Sequence, residues 1–165
     1  MKAKAIVLIG MMGALLFTVQ VALYFLPNVE LVTLLIILFT LIFKKKTLFI
    51  IYVFVLLEGL LYGFGLWWFG YLYVWTILYF ITVLLKKVAS PLSWAITSAG
   101  FGLSFGALFS IPYFITGGIA LGGSYWISGI PFDIIHGISN FVLMLVLYKP
   151  LFIILNKLNI HYERM

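Results

Sequence analysis

The sequence predicts an all-α integral membrane protein, a six-transmembrane-helix bundle with both the N and the C terminus cytoplasmic. Three observations lead there. The 165-residue chain is 65% hydrophobic and only 8% charged, with a mean hydropathy of +1.26. A soluble domain of this size leaves most residues in contact with its surface and has no room to hide that much apolar area. The ten Lys and Arg residues fall in four clusters: Lys2 and Lys4; Lys44, Lys45 and Lys46; Lys86 and Lys87; and Lys149, Lys157 and Arg164. Each interval between clusters is long enough to cross a bilayer twice, and basic loops stay on the cytoplasmic side. Six crossings of the plasma membrane satisfy the pattern without exception.

The elements follow in order along one membrane domain, residues 1–165. A span needs about 20 residues. Helix 1 covers residues 5–26 and stops at Pro27, which cannot continue the backbone ladder. It follows Lys2 and Lys4 but exceeds the apolar core of a signal peptide, about 7–15 residues, so it reads as a retained helix. Helix 2, residues 29–43, is short, and the Lys44–Lys46 turn forces it into an antiparallel pair with helix 3, residues 47–62. An outer turn over 63–70 precedes helix 4, residues 71–85. Helix 5 covers 92–114 with a kink expected at Pro112, and a glycine-rich outer loop is expected over 117–130. Helix 6, residues 131–148, opens on Pro131, which suits a first helical turn. A polar cytoplasmic tail, 149–165, completes the chain. No internal repeat is visible, which disfavours inverted-repeat transporter folds.

Composition and motifs exclude several functions. The net charge of +6 is divided among inner loops rather than gathered on one face, so no nucleic-acid partner is expected. The absence of cysteine removes disulfides, thiolate metal sites and a Cys nucleophile. There is no phosphate-binding loop, H-E-x-x-H or G-x-S-x-G, and no metal-ligand spacing. The chain is therefore read as no enzyme, with no catalytic residues, no metal and no cofactor of its own. Any use of ATP has to occur in partner subunits.

The sparse polar residues inside the hydrophobic segments are the candidates for binding, because an ionisable group at membrane depth is costly. Glu58 lies within helix 3 with no Lys or Arg near it in sequence. On helix 6, Asp133, His136, Gly137 and Asn140 share one face at spacings of three and four. They read as one wall of an outward-opening pocket. Asp133 is equally well placed for the positive end of the helix dipole, and Asn140 for an interhelical bond. Asn28, Glu30, Trp67, Trp68, Tyr71, Tyr73, Trp75, Tyr125 and Trp126 form the outer rim, where aromatics also serve as an interfacial belt; all but Tyr73 and Trp75 are taken as ligand contacts. The glycines beside Tyr125 and Trp126 suit a loop closing over a ligand.

Helix 1 carries a second pattern. Gly10, Ala14, Thr18 and Ala22 recur every four residues with Gly13 alongside, a smooth stripe that lets another helix approach closely. It serves either packing within this chain or docking of a partner. In helix 5 the small residues Ala99, Gly100, Gly102, Ser104, Gly106, Ala107 and Ser110 are expected to pack internally.

Six helices in a chain of this length, both ends inside, the small-residue stripe and the Pro-Asn-Val-Glu sequence at 27–30 together resemble the substrate-binding S components of energy-coupling factor transporters. Segments 27–33 and 124–140 are most similar to the cobalamin-type branch. The resemblance implies a vitamin bound at the outer side, and docking of helix 1 onto a transmembrane coupling protein that carries two ATPase subunits. It also implies transport by toppling of the S component in the membrane. Gly10, Gly13, Ala14 and Thr18 are the implied docking residues, with Gly10 and Ala14 standing where the family has Ala-x-x-x-Ala. Independently, the outer half lacks Lys and Arg, which an anionic vitamin would normally meet. Cobalamin is the leading ligand, and a pyridoxal-, pyrimidine- or thiamine-like molecule is the alternative. A stand-alone facilitator and a small intramembrane enzyme are the other function classes.

Overall fold

A computed structural model describes residues 3–87 and 90–164; Lys2 of the first basic cluster lies outside the described residues. The described residues form six helices and no strand: α1 (Ala3–Ala22), α2 (Val32–Phe43), α3 (Lys46–Tyr62), α4 (Leu66–Leu85), α5 (Pro91–Phe109) and α6 (Ile111–Arg164). Helices α1, α4, α5 and α6 are long and apolar enough to cross a membrane. The chain is thus a helical protein of membrane type.

Helix α2 is apolar on all sides, and every residue from Val32 to Phe43 except Leu41 is buried. A helix with no polar face has to be enclosed, and α2 touches α1, α3, α4 and α6. It is the axis of the bundle. Helices α1 and α3 run side by side in the same sense, with Gly13 against Val53 and Ile50 and Tyr24 stacked on Tyr62. The tight turn between α2 and α3 places Lys44 at φ 55°. Lys44, Lys45, Lys46 and Lys86 converge with the last turns of α6 at one end of the bundle, and Lys46 pairs with Glu163 at 3.3 Å. Lys4, at the start of α1, belongs to the same end.

Helices α5 and α6 form an antiparallel hairpin whose backbones nearly touch. A Cβ on Gly102 would lie 2.9 Å from the backbone of His136 and Gly137, so only glycine allows this approach. The hairpin reverses at Gly118, φ 68° and ψ −165°, the one non-helical residue inside α6. Beyond the body of the bundle its tip is held by Tyr113 stacked on Tyr125, ring centroids 4.0 Å apart.

The boundaries differ from the sequence expectation in several places, and α1 ends at Ala22 rather than at residue 26. The stretch 117–130 is not a loop: apart from Gly118 it is helical, and α6 continues through Pro131. In apolar surroundings the backbone has no water to bond, so it keeps its helical ladder even through glycine and proline. The tail 149–165 is likewise helical to Arg164, with Leu155 buried. Helix α4 begins at Leu66, after Gly63 at φ 86°, which puts Trp67 and Trp68 on a helix. Helix α2 begins three residues late, at Val32, because segment 23–31 enters the bundle as irregular chain. Near Pro112, α5 ends at Phe109 and the helix resumes at Ile111. Pro112 has no N–H to give Leu108 O, its partner four residues back, and the Tyr73 hydroxyl donates to that oxygen instead at 2.5 Å.

The glycine seam makes a paired prediction. Gly102→Ala should destabilise the protein by about 1–3 kcal/mol through overpacking. Gly100→Ala, on a face where a Cβ meets nothing within 4 Å, should cost nothing. Thermal unfolding in detergent checks both, and equal effects would refute the seam.

Candidate ligand-binding site

The site grows from the way segment 23–31 enters the bundle. Irregular backbone at membrane depth persists only where protein or a wet cavity satisfies it. Here Glu30, 8% exposed, sits one residue ahead of the α2 N-cap and accepts a hydrogen bond from Thr33 N at 2.8 Å. That satisfies one of the orphan amides of the first turn and places negative charge at the positive end of α2. The other carboxylate oxygen of Glu30 lies 3.1 Å from Nε2 of His136. As the carboxylate accepts, Nε2 carries the proton, which leaves His136 Nδ1 buried without a protein partner. Ser139 completes the clamp by donating to Asn28 O at 2.8 Å.

One turn before His136, Asp133 points across the hairpin seam. Its Oδ1 accepts from Gly106 N at 2.9 Å, and a Cβ on residue 106 would collide with the carboxylate. Oδ2 is buried and has no hydrogen-bond partner among the described residues. A buried carboxylate oxygen left unsatisfied is expensive, which makes Asp133 a candidate ligand contact, with Oδ2 itself enclosed against Gly106 in the seam.

Two adjoining cavities open around these groups and share Asn28, Tyr71 and Phe105. The smaller, about 220 Å³, reaches Glu30, His136, Gln20 and Trp75. The larger, about 460 Å³, holds Asp133 among Trp67, Phe109, Tyr125 and Phe132. The wall between them is a run of edge-to-face aromatics: Tyr71 meets Trp67 at 5.3 Å, Trp75 at 5.6 Å and Phe109 at 5.6 Å. Phe105 stacks on Phe109 at 5.0 Å and meets the His136 ring at 4.9 Å. Such contacts fix ring positions without polar groups.

The structure thus gathers Asn28, Glu30, Trp67, Tyr71, Tyr125, Asp133 and His136 around the cavities. It keeps the other four expected residues away from them. Glu58 is buried at 3% exposure, with Oε1 unpartnered, but lines neither cavity. Trp68 ties α4 to α3 by donating to Val55 O at 2.9 Å. Trp126 is 43% exposed. Asn140 is buried one turn below His136 with Nδ2 unpartnered. Sequence reasoning missed Gln20, Phe105, Phe109 and Phe132, and placed Trp75 on the rim without taking it as a ligand contact. The four-residue spacing of Phe101, Phe105 and Phe109 was the available signal for one face of α5.

On α1, Ile9, Gly13 and Leu16 face inward. Gly10, Ala14, Thr18 and Ala22 are exposed, and a Cβ on Gly10 meets nothing within 4 Å. Gly13 therefore serves internal packing, and the rest of the stripe is outward.

No family model, curated protein or solved structure matches this chain.

If the Glu30–His136 bond holds segment 23–31 inside the bundle, Glu30→Gln should loosen it. Amide exchange in residues 28–33 should rise about tenfold, the loss of one charge-assisted bond. Unchanged exchange there would show that Ser139 and the chain geometry suffice.

Proposed function

We propose that this chain is the substrate-binding membrane subunit of an energy-coupling factor type importer. In this reading it spans the plasma membrane six times, with the lysine end in the cytoplasm. It takes up a small vitamin-like molecule at the opposite end and works with a transmembrane coupling protein and two ATPase subunits. The observation that carries the reading is the aromatic cavity around Asp133, whose Oδ2 has no partner. Binding sites of this kind combine apolar and aromatic walls with a few convergent polar groups.

The ligand favoured is the smaller of the classes open from sequence. The larger cavity, about 460 Å³, lies in the lower part of the range for drug-sized molecules, about 300–1,000 Å³, and the smaller, about 220 Å³, lies below it. A corrin macrocycle is far larger than such a molecule. Glu30 and Asp133, with aromatic faces and no Lys or Arg at the cavities, suit a cationic or neutral heteroaromatic ring, by charge attraction and cation–π contact. A thiamine-, pyridoxal- or pyrimidine-like ligand fits that chemistry.

The outward stripe on α1 supports the partner half of the reading, since small residues allow close helix approach in lipid. A stand-alone facilitator would need a polar path along the axis. That axis is filled by α2, where residues Leu34 to Phe39 are at most 6% exposed.

Two measurements test the proposal. Asp133→Asn should weaken binding of a thiamine-like cation by about 10- to 100-fold, the value of one bond to a charged group. Failure of every such cation and neutral ring to bind the unaltered protein would overturn the ligand class. Ala14→Leu should abolish both uptake and co-purification of ATPase subunits from native membranes while leaving ligand affinity unchanged. A chain that purifies without ATPases before any substitution would remove the importer reading.

A further inference from the structure

At the lysine end a larger cavity, about 950 Å³, opens between α2, α3, α4 and the last turns of α6. Lys44, Lys45, Lys46 and Lys86 line its mouth, and Glu163 is its one carboxylate. Glu163 is engaged by Lys46 at 3.3 Å, and the Lys46 ammonium also lies 5.0 Å from the Tyr162 ring. Among the described residues Lys44, Lys45 and Lys86 form no ion pair. The tight α2–α3 turn holds three like charges within three consecutive residues, an arrangement that repels itself until an anion enters it. The rest of the lining is mainly apolar, with Leu41, Ile42, Phe43 and Val83 beside the polar Thr40, Tyr79 and Asn159.

We propose that this cavity binds an anionic phospholipid, its phosphate among Lys44, Lys45 and Lys86 and the upper part of an acyl chain against Leu41 and Val83. Charge complementarity selects the occupant. Basic clusters where spans leave the hydrocarbon attract anionic headgroups, and ammonium groups bond phosphate oxygens with charge assistance. A soluble phosphate satisfies the lysines but leaves the apolar wall uncovered, whereas a lipid covers both. The site is separate from the ligand cavities and stands whether or not they bind a vitamin.

The test uses the whole protein, reconstituted in nanodiscs of equal phosphatidylglycerol and phosphatidylcholine and then released into mild detergent for native mass spectrometry. Phosphatidylglycerol should remain bound in clear excess. The double substitution Lys45→Gln with Lys86→Gln should lower that excess by about fivefold per lysine, and the Lys45→Arg with Lys86→Arg pair should retain it. Lys44, Lys46 and Lys87 remain in place, so each basic loop keeps its sign. Val83→Trp, which puts an indole on the acyl-chain wall and leaves every charge, should also lower the excess and decides the matter if the glutamine variant does not fold. Equal retention of both lipids, or a bias indifferent to both the glutamine pair and Val83→Trp, overturns the proposal. So does displacement of the lipid by millimolar inorganic phosphate, which would assign the site to a soluble anion.

Discussion

The near-contact of α5 and α6 at Gly102, Gly106 and Gly137 is the constraint on which the rest depends. Because no side chain separates the two backbones there, Asp133 can reach the amide of Gly106 across the seam. His136, one turn on, is turned toward the entry of α2. A seam even a methyl group wider would move both groups away from the cavities. Lipid gives helices no hydrophobic reason to associate, so this close packing also contributes the attraction that holds the hairpin shut.

Two departures from regular backbone are answered by named partners. Segment 23–31 is held by Glu30, His136 and Ser139. The carbonyl of Leu108, deprived by Pro112, is bonded by Tyr73. Among the buried polar atoms that stay unanswered, Gln20 Oε1, Trp75 Nε1, Asp133 Oδ2 and His136 Nδ1 belong to residues that line the two adjoining cavities, whereas Glu58 Oε1 and Asn140 Nδ2 do not.

Much of the architecture was legible in the sequence, and the failures have a common cause. Hydropathy and the lysine clusters predicted six helices and the shared lysine end, because both depend only on which residues tolerate lipid. The expected loop at 117–130 and the expected start of helix 6 at Pro131 relied on glycine and proline as helix breakers, a rule set by competition with water. Inside a bilayer that competitor is missing, so α6 runs on. At the site, periodicity placed Asp133, His136, Gly137 and Asn140 on one buried face. The pairing of Glu30 with His136 spans 106 positions and leaves no local trace. Nor could composition separate Trp67, which lines a cavity, from Trp68, which fastens two helices, since both are aromatics at the same depth.

The brevity of α2 also governs how the molecule is made. Twelve residues give a rod of about 18 Å, well short of the roughly 30 Å of hydrocarbon it would have to traverse alone. Left by itself in lipid it would pull its ends, with the Lys44–Lys46 turn, toward the interior. Helix α2 is therefore unsuited to enter the bilayer as an independent unit and must travel with α3 as a pair, then be enclosed by α4 and α6, which are synthesised later. The axis of the bundle is therefore secured by elements on both sides of it in the sequence, α6 among them.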